Sequence, residues 1–474
     1  MRNWFGNRRE GRQQIWPTPL PVYACKQLRH LGKVGAILKE ITMKELGIGL
    51  LGFGTVGAGV VEELQKNGEM IANRIGVKPV LRKIADVDLD RDRGVNVDRS
   101  MLTRDAESVI NDPSISVVVE LIGGTGIARK LILQALKAGK PVVTANKALL
   151  AEHGAEIFGQ AAERKVDVWF EASVAGGIPI IRSLREGLVA NRINGIYGIL
   201  NGTCNYILSS MDKEQVTFEH ALKDAQVAGY AEADPALDID GIDTAHKAVL
   251  LASLAYGFHV PMSDVYVEGI RGISRTDIEY ARGMGYKLKL LAVIKNESGE
   301  IEVRVHPTLI PVEHMLSSVS GVYNAIQVEG DVVGQTLYYG RGAGRYPTAS
   351  AVISDIADVC RELAFGDIKR RYSFSWQKEE VKLKNMGQIE SRYYLRASLL
   401  DKPGVFGQLA TVLGQHQISI ASVLQKERHA GKQVPVIVVT DRAKESDFDA
   451  AIADIDAMSA VGAKSVRIRI EDLG

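Results

Sequence analysis

Cysteine is scarce in this sequence, with three residues in 474. Cys25, Cys204 and Cys360 stand far apart and in no metal-like spacing, so there is no disulfide framework, which fits a reducing cytoplasm. Long hydrophobic runs are missing as well: none reaches the roughly 18–20 residues that a membrane-spanning helix needs. Neither sign of charge is in excess. A formal net charge of +1 leaves no electrostatic reason to expect nucleic acid or an anionic membrane as a partner. There is no internal repeat and no secretory signal. Residues 1–42 are basic and aperiodic, without the apolar stretch and small-residue cleavage site of a signal peptide. They read as a disordered tail, with Met43 as the expected natural start.

What is present is an ordinary globular composition in a chain too long for one core, hence about two to four domains. From Lys44 the pattern becomes strand, Gly-rich turn, helix. LGIGLLGFG reads as an apolar strand ending at Gly52, and a helix opens near Thr55. PVLRKIADVD, ISVVVELIGG, PVVTANK and VDVWFEASV read as four further strands, with ARKLILQALKAGK as an amphipathic helix among them. Strands alternating with helices at this spacing predict an α/β fold, a Rossmann-type doubly wound parallel sheet over residues 43–170. Beyond Glu171, NRINGIYGILNGTCNYIL and KLKLLAVIKNESGEIEVRVHPTLI read as strands of a second sheet, which makes residues 171–345 an α+β substrate and dimerisation domain. Residues 346–365 read as a helix returning to the first domain, and residues 366–392 as a charged linker. The last stretch, 393–474, has the order β-α-β-β-α-β of a ferredoxin-like unit.

Gly52-Phe-Gly54-Thr55-Val56-Gly57 is G-x-G-x-x-G between a strand and a helix. Gly52 permits the tight turn, Gly54 the approach of a pyrophosphate, and Gly57 close helix–strand packing, with the helix N-terminus favouring phosphate charge. Asp86 ends the second strand, where a carboxylate binds ribose hydroxyls and favours NAD. Arg82, Lys83, Arg91 and Arg93 lie near it in sequence and are partners for a 2′-phosphate, so the cofactor is NADP or NAD.

Between Gly229 and Lys247, five carboxylates and a lysine crowd a stretch punctuated by Gly229, Pro235 and Gly241. The helix that follows, AVLLASLAYG, is apolar on nearly every face and therefore buried. Asp243 and Lys247 stand four apart at its start and share a face. On these grounds alone the stretch is either the mouth of a buried site or an acidic surface loop with an i,i+4 salt bridge.

This stretch resembles the signature of the homoserine dehydrogenases, with each anchor in place. The likeness runs from about Met43 to Gly366 through GFGTVG, VVVELIGG, TANKALLA, EASVAGGIPII, NGTCNYIL and GRGAGRYPTASAV. With no aspartate-kinase-like segment ahead of it, the chain resembles the monofunctional form. The resemblance implies interconversion of L-homoserine and L-aspartate 4-semialdehyde with NAD(P), in threonine, methionine and isoleucine biosynthesis, by a homodimer or homotetramer. It makes Lys247 the expected catalytic lysine and places Lys147 near the nicotinamide. Glu232, Asp238 and Asp243 are expected to hold substrate and order the site, with Gly229 and Gly344 on the cofactor side. Chemistry agrees: a substrate ammonium needs carboxylates, and a lysine whose pKa burial lowers toward neutrality can trade the hydroxyl proton or stabilise alkoxide charge. Either Lys247 or Lys147 is the proton carrier.

The stretch from Glu171 to Pro179 looks like the family's monovalent-cation loop. The Glu171 side chain and the carbonyls of Val174, Gly176 and Ile178 are the expected sodium ligands. Asn201-Gly202-Thr203 reads as a turn in which Thr203 presents its hydroxyl to substrate, and Cys204 as a buried apolar residue. Near the C-terminus, the segment from Leu400 to Gly407 joins a strand to a helix and resembles the ACT domain, an amino-acid-sensing module. Asp401, Gly404 and Val405, at a helix N-terminus, are the candidate ligand site, with L-threonine the expected effector. Such a domain alternatively serves assembly through its sheet edge. Two competing readings are a non-catalytic sensor, which would not need Lys147 and Lys247, and a dehydrogenase of another amino acid, which would not need the whole Gly229–Lys247 constellation.

Overall fold

The computed structural model describes residues 43–297, 299–366, 383–426 and 429–473. The expected tail over 1–42 and most of the expected linker lie outside the described residues. The first sheet grows from short apolar runs. β1 (Glu45–Leu51) leads through the Gly-rich turn into α1 (Thr55–Ile75), followed by β2 (Lys78–Ala85), β3 (Leu102–Thr103), α2 (Ala106–Ile110), β4 (Val117–Glu120), α3 (Ile127–Lys137), β5 (Val142–Thr144), α4 (Lys147–Arg164) and β6 (Val168–Trp169). The strands are all parallel, in the order β3-β2-β1-β4-β5-β6. All four residues of β4 are buried, as a strand covered on both faces requires. Strand order reverses between β1 and β4, and the crevice at their carboxyl ends is where a doubly wound sheet binds its ligand. β6 is shorter than VDVWFEASV suggests: after Trp169 the chain turns into a 3-10 turn at Glu171–Ser173.

The second sheet begins with β7 (Ile193–Ile199). The segment NGTCNYIL, expected to be strand, is instead the start of α5 (Gly202–Glu214), because Asn201 caps it by accepting a hydrogen bond from the Cys204 N–H at 2.8 Å. Then come α6 (Phe218–Val227), α7 (Ile242–Tyr256), β8 (Tyr266–Val267), α8 (Arg275–Gly283), β9 (Tyr286–Glu297), β10 (Glu300–Pro311), β11 (Tyr323–Gly330) and β12 (Gly334–Arg341). Neither β11 nor β12 has the apolar run or clean alternation that betrays a strand. α9 (Arg345–Phe365) lies on α1, with Ala349, Val352 and Ile356 in one core with Val60 and Val61.

The last unit is β13 (Glu390–Leu400), α10 (Val405–Gln415), β14 (Ile420–Leu424), β15 (Gln433–Thr440), β16 (Ala443–Lys444), α11 (Glu445–Asp456) and β17 (Val466–Ile470). It does not hang from a tether as the linker reading implied. β17 pairs in parallel with β10, so one sheet runs β12-β11-β7-β9-β10-β17-β13-β15-β14. The seam is ionic and buried. Arg304 meets Glu302 and Glu471 at 3.1 and 2.8 Å, Arg469 reaches Glu268 at 2.8 Å and also pairs with Glu445, and Arg396 pairs with Asp277 at 2.7 Å. Buried charges persist only when paired, so removal of one partner strands the other. The expected linker is also shorter than 366–392, since Leu383 bridges to Ile301 and β13 begins at Glu390.

Lys289 of β9 is buried and donates to the Asn205 side chain of α5 at 3.0 Å and to the Val319 carbonyl. Burial depresses its pKa to about 7. The unfolded chain keeps this lysine protonated to about pH 10.4, so native stability should rise with pH between about 7 and 10 and show no Lys289 contribution to the slope below 7. Urea unfolding of Lys289→Met beside the wild type should show this slope only in the wild type, by up to about 1.4 kcal/mol per pH unit. Parallel pH profiles for the two proteins would contradict it.

Candidate active site

The Gly-rich turn is built as a phosphate cradle demands. A Cβ on Gly57 would lie 2.3 Å from the Gly52 carbonyl oxygen, and one on Gly52 2.6 Å from the Leu121 backbone, whereas the space beside Gly54 is open. Beside it lies a cleft of about 190 Å³ lined by Phe53, Gly54, Thr55, Ala58, Arg91, Asp92, Arg93 and Arg345. Val56 sits just inside α1. A helix N-terminus and three guanidinium groups around an open glycine fit a dinucleotide's phosphates.

Asp86 is placed at this cleft but is already engaged. Its carboxylate accepts from the Phe53 N–H at 2.6 Å and pairs with Arg93 at 3.2 Å. Arg82 and Lys83 face away from the cleft, paired with Glu45 and Asp112. Arg345, which the sequence reading missed, bridges to Glu62 at 2.9 Å and to the Arg93 carbonyl at 3.2 Å.

Deeper in, Asp243 is the hub. Its carboxylate meets Lys247 at 2.7 Å and Lys147 at 3.2 Å and accepts from the Asn201 amide at 2.8 Å. Burial alone would raise its pKa. The charges of Lys247 and Lys147 outweigh burial and hold the carboxyl well below the usual carboxylate range. Lys247 also donates to the Leu200 carbonyl at 2.6 Å, which Asn324 shares at 2.9 Å. The two lysines come from helices of different domains: Lys147 opens α4 after β5, and Lys247 sits in the second turn of α7.

Other groups set this hub in place. Asp238 accepts from the Asn201 amide at 2.7 Å. Buried Glu120 takes the Ile122 and Gly123 N–H groups and the Thr144 hydroxyl, which fixes the turn before Lys147. His246, also missed in the sequence, is nearly buried beside Lys247, and burial pushes its imidazole pKa down. Asn201 was legible as a turn residue; its helix-capping pattern, Asn before an apolar period, was the signal for α5.

The remaining expected residues are placed as follows. Thr203 is buried at the start of α5 and donates its hydroxyl to the Tyr230 carbonyl at 2.6 Å. Glu232 is exposed on the loop, and among the described residues no hydrogen bond or ion pair joins its carboxylate to the hub. Gly229 turns that loop with φ of 73°, and Gly344 precedes α9 with φ of 121°. Burial, and then the Asp238 and Asp243 charges, push the Cys204 thiol well up, which leaves it inert. In the expected cation loop, Ala175 and Gly176 both take positive φ. The Glu171 carboxylate accepts from the Ile181 and Arg182 N–H groups at 2.9 and 2.8 Å, and the Ile178 carbonyl from Ile180 at 2.8 Å. Burial raises the Glu171 pKa against those hydrogen bonds. Among the described residues no group of three or more His, Cys, Asp or Glu forms a metal-type cluster, so any cation here would rest mainly on carbonyl oxygens, including those of Val174 and Gly176. Asp401, Gly404 and Val405 lie at the turn between β13 and α10, where Gly404 takes φ of 89°.

Comparison with known proteins agrees with this layout. Residues 52–171 match the family model "Homoserine dehydrogenase, NAD binding domain", 179–357 the model "Homoserine dehydrogenase", and 393–457 the ACT domain. The Pseudomonas aeruginosa homoserine dehydrogenase is 45% identical, over 91% of this chain and 100% of its own. The crystal structure of a homoserine dehydrogenase from Thiobacillus denitrificans superposes with a TM-score of 0.87 at 45% identity, covering 91% of this chain and 99% of that one. A hyperthermophilic archaeal homoserine dehydrogenase in complex with NADPH gives a TM-score of 0.57 at 28% identity, over 66% of this chain and 96% of its own. No helix among the described residues is long and apolar enough to cross a membrane.

Gly54 and Gly57 should separate on mutation. Gly54→Ala should leave the melting temperature unchanged yet weaken dinucleotide binding about tenfold or more by calorimetry, because the methyl group fills the open cradle. Gly57→Ala should lower the melting temperature by itself. Equal behaviour of the two variants would contradict the assignment.

Proposed function

Because the chain belongs to the homoserine dehydrogenase family, we propose that it interconverts L-homoserine and L-aspartate 4-semialdehyde with NAD(P) in amino-acid biosynthesis. The observation that carries this reading is the Lys247–Asp243–Lys147 hub, in which Asp243 and Lys247 are buried and Lys147 is partly exposed. A sensor has no use for two lysines drawn from the helices of two domains onto one buried carboxylate, and the desolvation of Asp243 and Lys247 points to chemistry.

A dinucleotide held at the glycine cradle would supply hydride acceptance or donation through its nicotinamide. The chain supplies the rest. Asp238 and, at the rim, Glu232 offer negative charge to the substrate ammonium, and Thr203 offers a hydroxyl oxygen close by. Lys247, held by Leu200 and Asp243, keeps one donor direction for the substrate oxygen and exchanges its proton. Lys147, nearer the cofactor sheet, stabilises charge on the same oxygen. Asp243 anchors both ammonium groups. Gly229 and Gly344 give the backbone close approach to the cofactor on either side.

NADP suits the cleft better than NAD, since Arg91 and Arg345 line it while the Asp86 carboxylate is held by the Phe53 N–H and by Arg93. A monovalent cation such as sodium, held by Glu171 and the carbonyls of Val174, Gly176 and Ile178, would offset the burial of the Glu171 carboxyl. L-Threonine binding at Asp401, Gly404 and Val405, with inhibition, completes the reading. The exposed edges of the long sheet, β12 and β14, are where a second copy would add strands to a homodimer or homotetramer.

One assay tests the core of this. The full chain should oxidise NADPH with aspartate 4-semialdehyde faster than NADH, lose rate when choline replaces sodium at equal ionic strength, and be inhibited by L-threonine. The full chain is required, because deleting residues 390–473 would strip β17 from β10 and leave Arg304 without Glu471. Lys247→Met should keep cofactor binding and lose about 10²-fold or more in kcat. Near-normal turnover by a folded Lys247→Met protein, or no turnover by the wild type, would overturn the reading.

A further inference from the structure

Asn201 stands where three parts of the site meet. Its amide nitrogen donates one hydrogen to Asp238 at 2.7 Å and the other to Asp243 at 2.8 Å. Its amide oxygen accepts from the Cys204 N–H and caps α5, the helix that carries Thr203. The residue is 5% exposed. These contacts leave the amide one orientation. A flip would aim the NH2 group at the Cys204 N–H and an oxygen at two carboxylates, losing every bond.

Two carboxylates within reach of one nitrogen repel each other unless something positive lies between them. A lysine or arginine there would neutralise them. The Asn201 amide instead offers a hydrogen to each without adding charge. Asp243 is paired with Lys247 and Lys147, whereas among the described residues Asp238 has no ion pair and is open to a cationic group arriving from outside. We propose that Asn201 is a positioning residue that holds the Asp238 and Asp243 carboxylates side by side through one amide, and so keeps Asp238 in place for the ammonium of an amino-acid substrate. This rests on the homoserine reading above.

The test uses Asn201→Ser and Asn201→Asp in the full chain. Both residues are good helix N-caps, so α5 keeps its start. Serine has one hydroxyl hydrogen and cannot serve two carboxylates. Aspartate keeps the shape but puts a third carboxylate among them. For Asn201→Ser the expected result is a KM for homoserine raised about tenfold or more, with KM for NADP and the melting temperature near wild type. For Asn201→Asp the acid limb of the kcat/KM profile should move up by about one pH unit, because three crowded carboxylates retain a proton that two bridged by an amide release. A role confined to capping α5 would move neither the homoserine KM nor the pH profile. Folded variants with wild-type KM and wild-type pH profile overturn the proposal alone. A wild type that turns over no homoserine overturns it together with the reading on which it rests.

Discussion

One buried carboxylate shared by two ammonium groups organises this molecule. Burial works against the charge on Asp243, the Lys247 and Lys147 charges outweigh it, and neither lysine reaches the carboxylate unless the two domains meet at this point. β5 must end where α4 starts, so that Lys147 projects beyond the first sheet. The residues at 238–241 must turn so that α7 starts with Asp243 inward. Glu120 and Thr144 brace the first requirement, and Asn201 with the Leu200 carbonyl braces the second. The glycine cradle of the cofactor cleft opens at the carboxyl ends of the same strands, which brings a bound dinucleotide and the lysines to one face.

The first sheet and the cofactor turn were legible because their signals are local. G-x-G-x-x-G between an apolar run and a helix is a backbone requirement written in composition, and strands buried on both faces read as unbroken Val and Ile. The Gly229–Lys247 stretch was legible for a similar reason, its carboxylates and lysine lying within one loop and one helix turn. What was not legible depends on long-range pairing. β11 and β12 are held by partners rather than propensity, and NGTCNYIL has a strand-like composition but starts with a capping asparagine, so α5 won. Asp86 looked free because Phe53 and Arg93, its partners, reach it only through the folded loop. Arg345 joins the cleft from more than 250 residues away in sequence, which no spacing reveals.

The C-terminal unit shows the same limit. Its internal order was readable from alternating runs, but its attachment was not. β17 extends the sheet of the catalytic part, and its Arg469 binds Glu268, whose backbone N–H in turn bonds Val305 of β10. The next residue, Gly269, is packed so tightly that a Cβ would lie 2.2 Å from the Ile239 carbonyl, beside Asp238. β17 and the backbone beside Asp238 thus belong to one framework of paired charges and close backbone contacts.

The account makes Asp243 and Lys247 a single device, and a double-mutant cycle on kcat measures that most directly. Asp243→Asn, Lys247→Met and the double variant would be compared with the wild type under saturating cofactor and substrate. If the carboxylate acts by holding the lysines, the double variant should lose clearly less than the product of the two single losses, since with Lys247 gone Asp243 has only Lys147 left to hold. Losses that multiply across the two positions would show that Asp243 and Lys247 contribute independently, and would contradict the hub as the basis of the site.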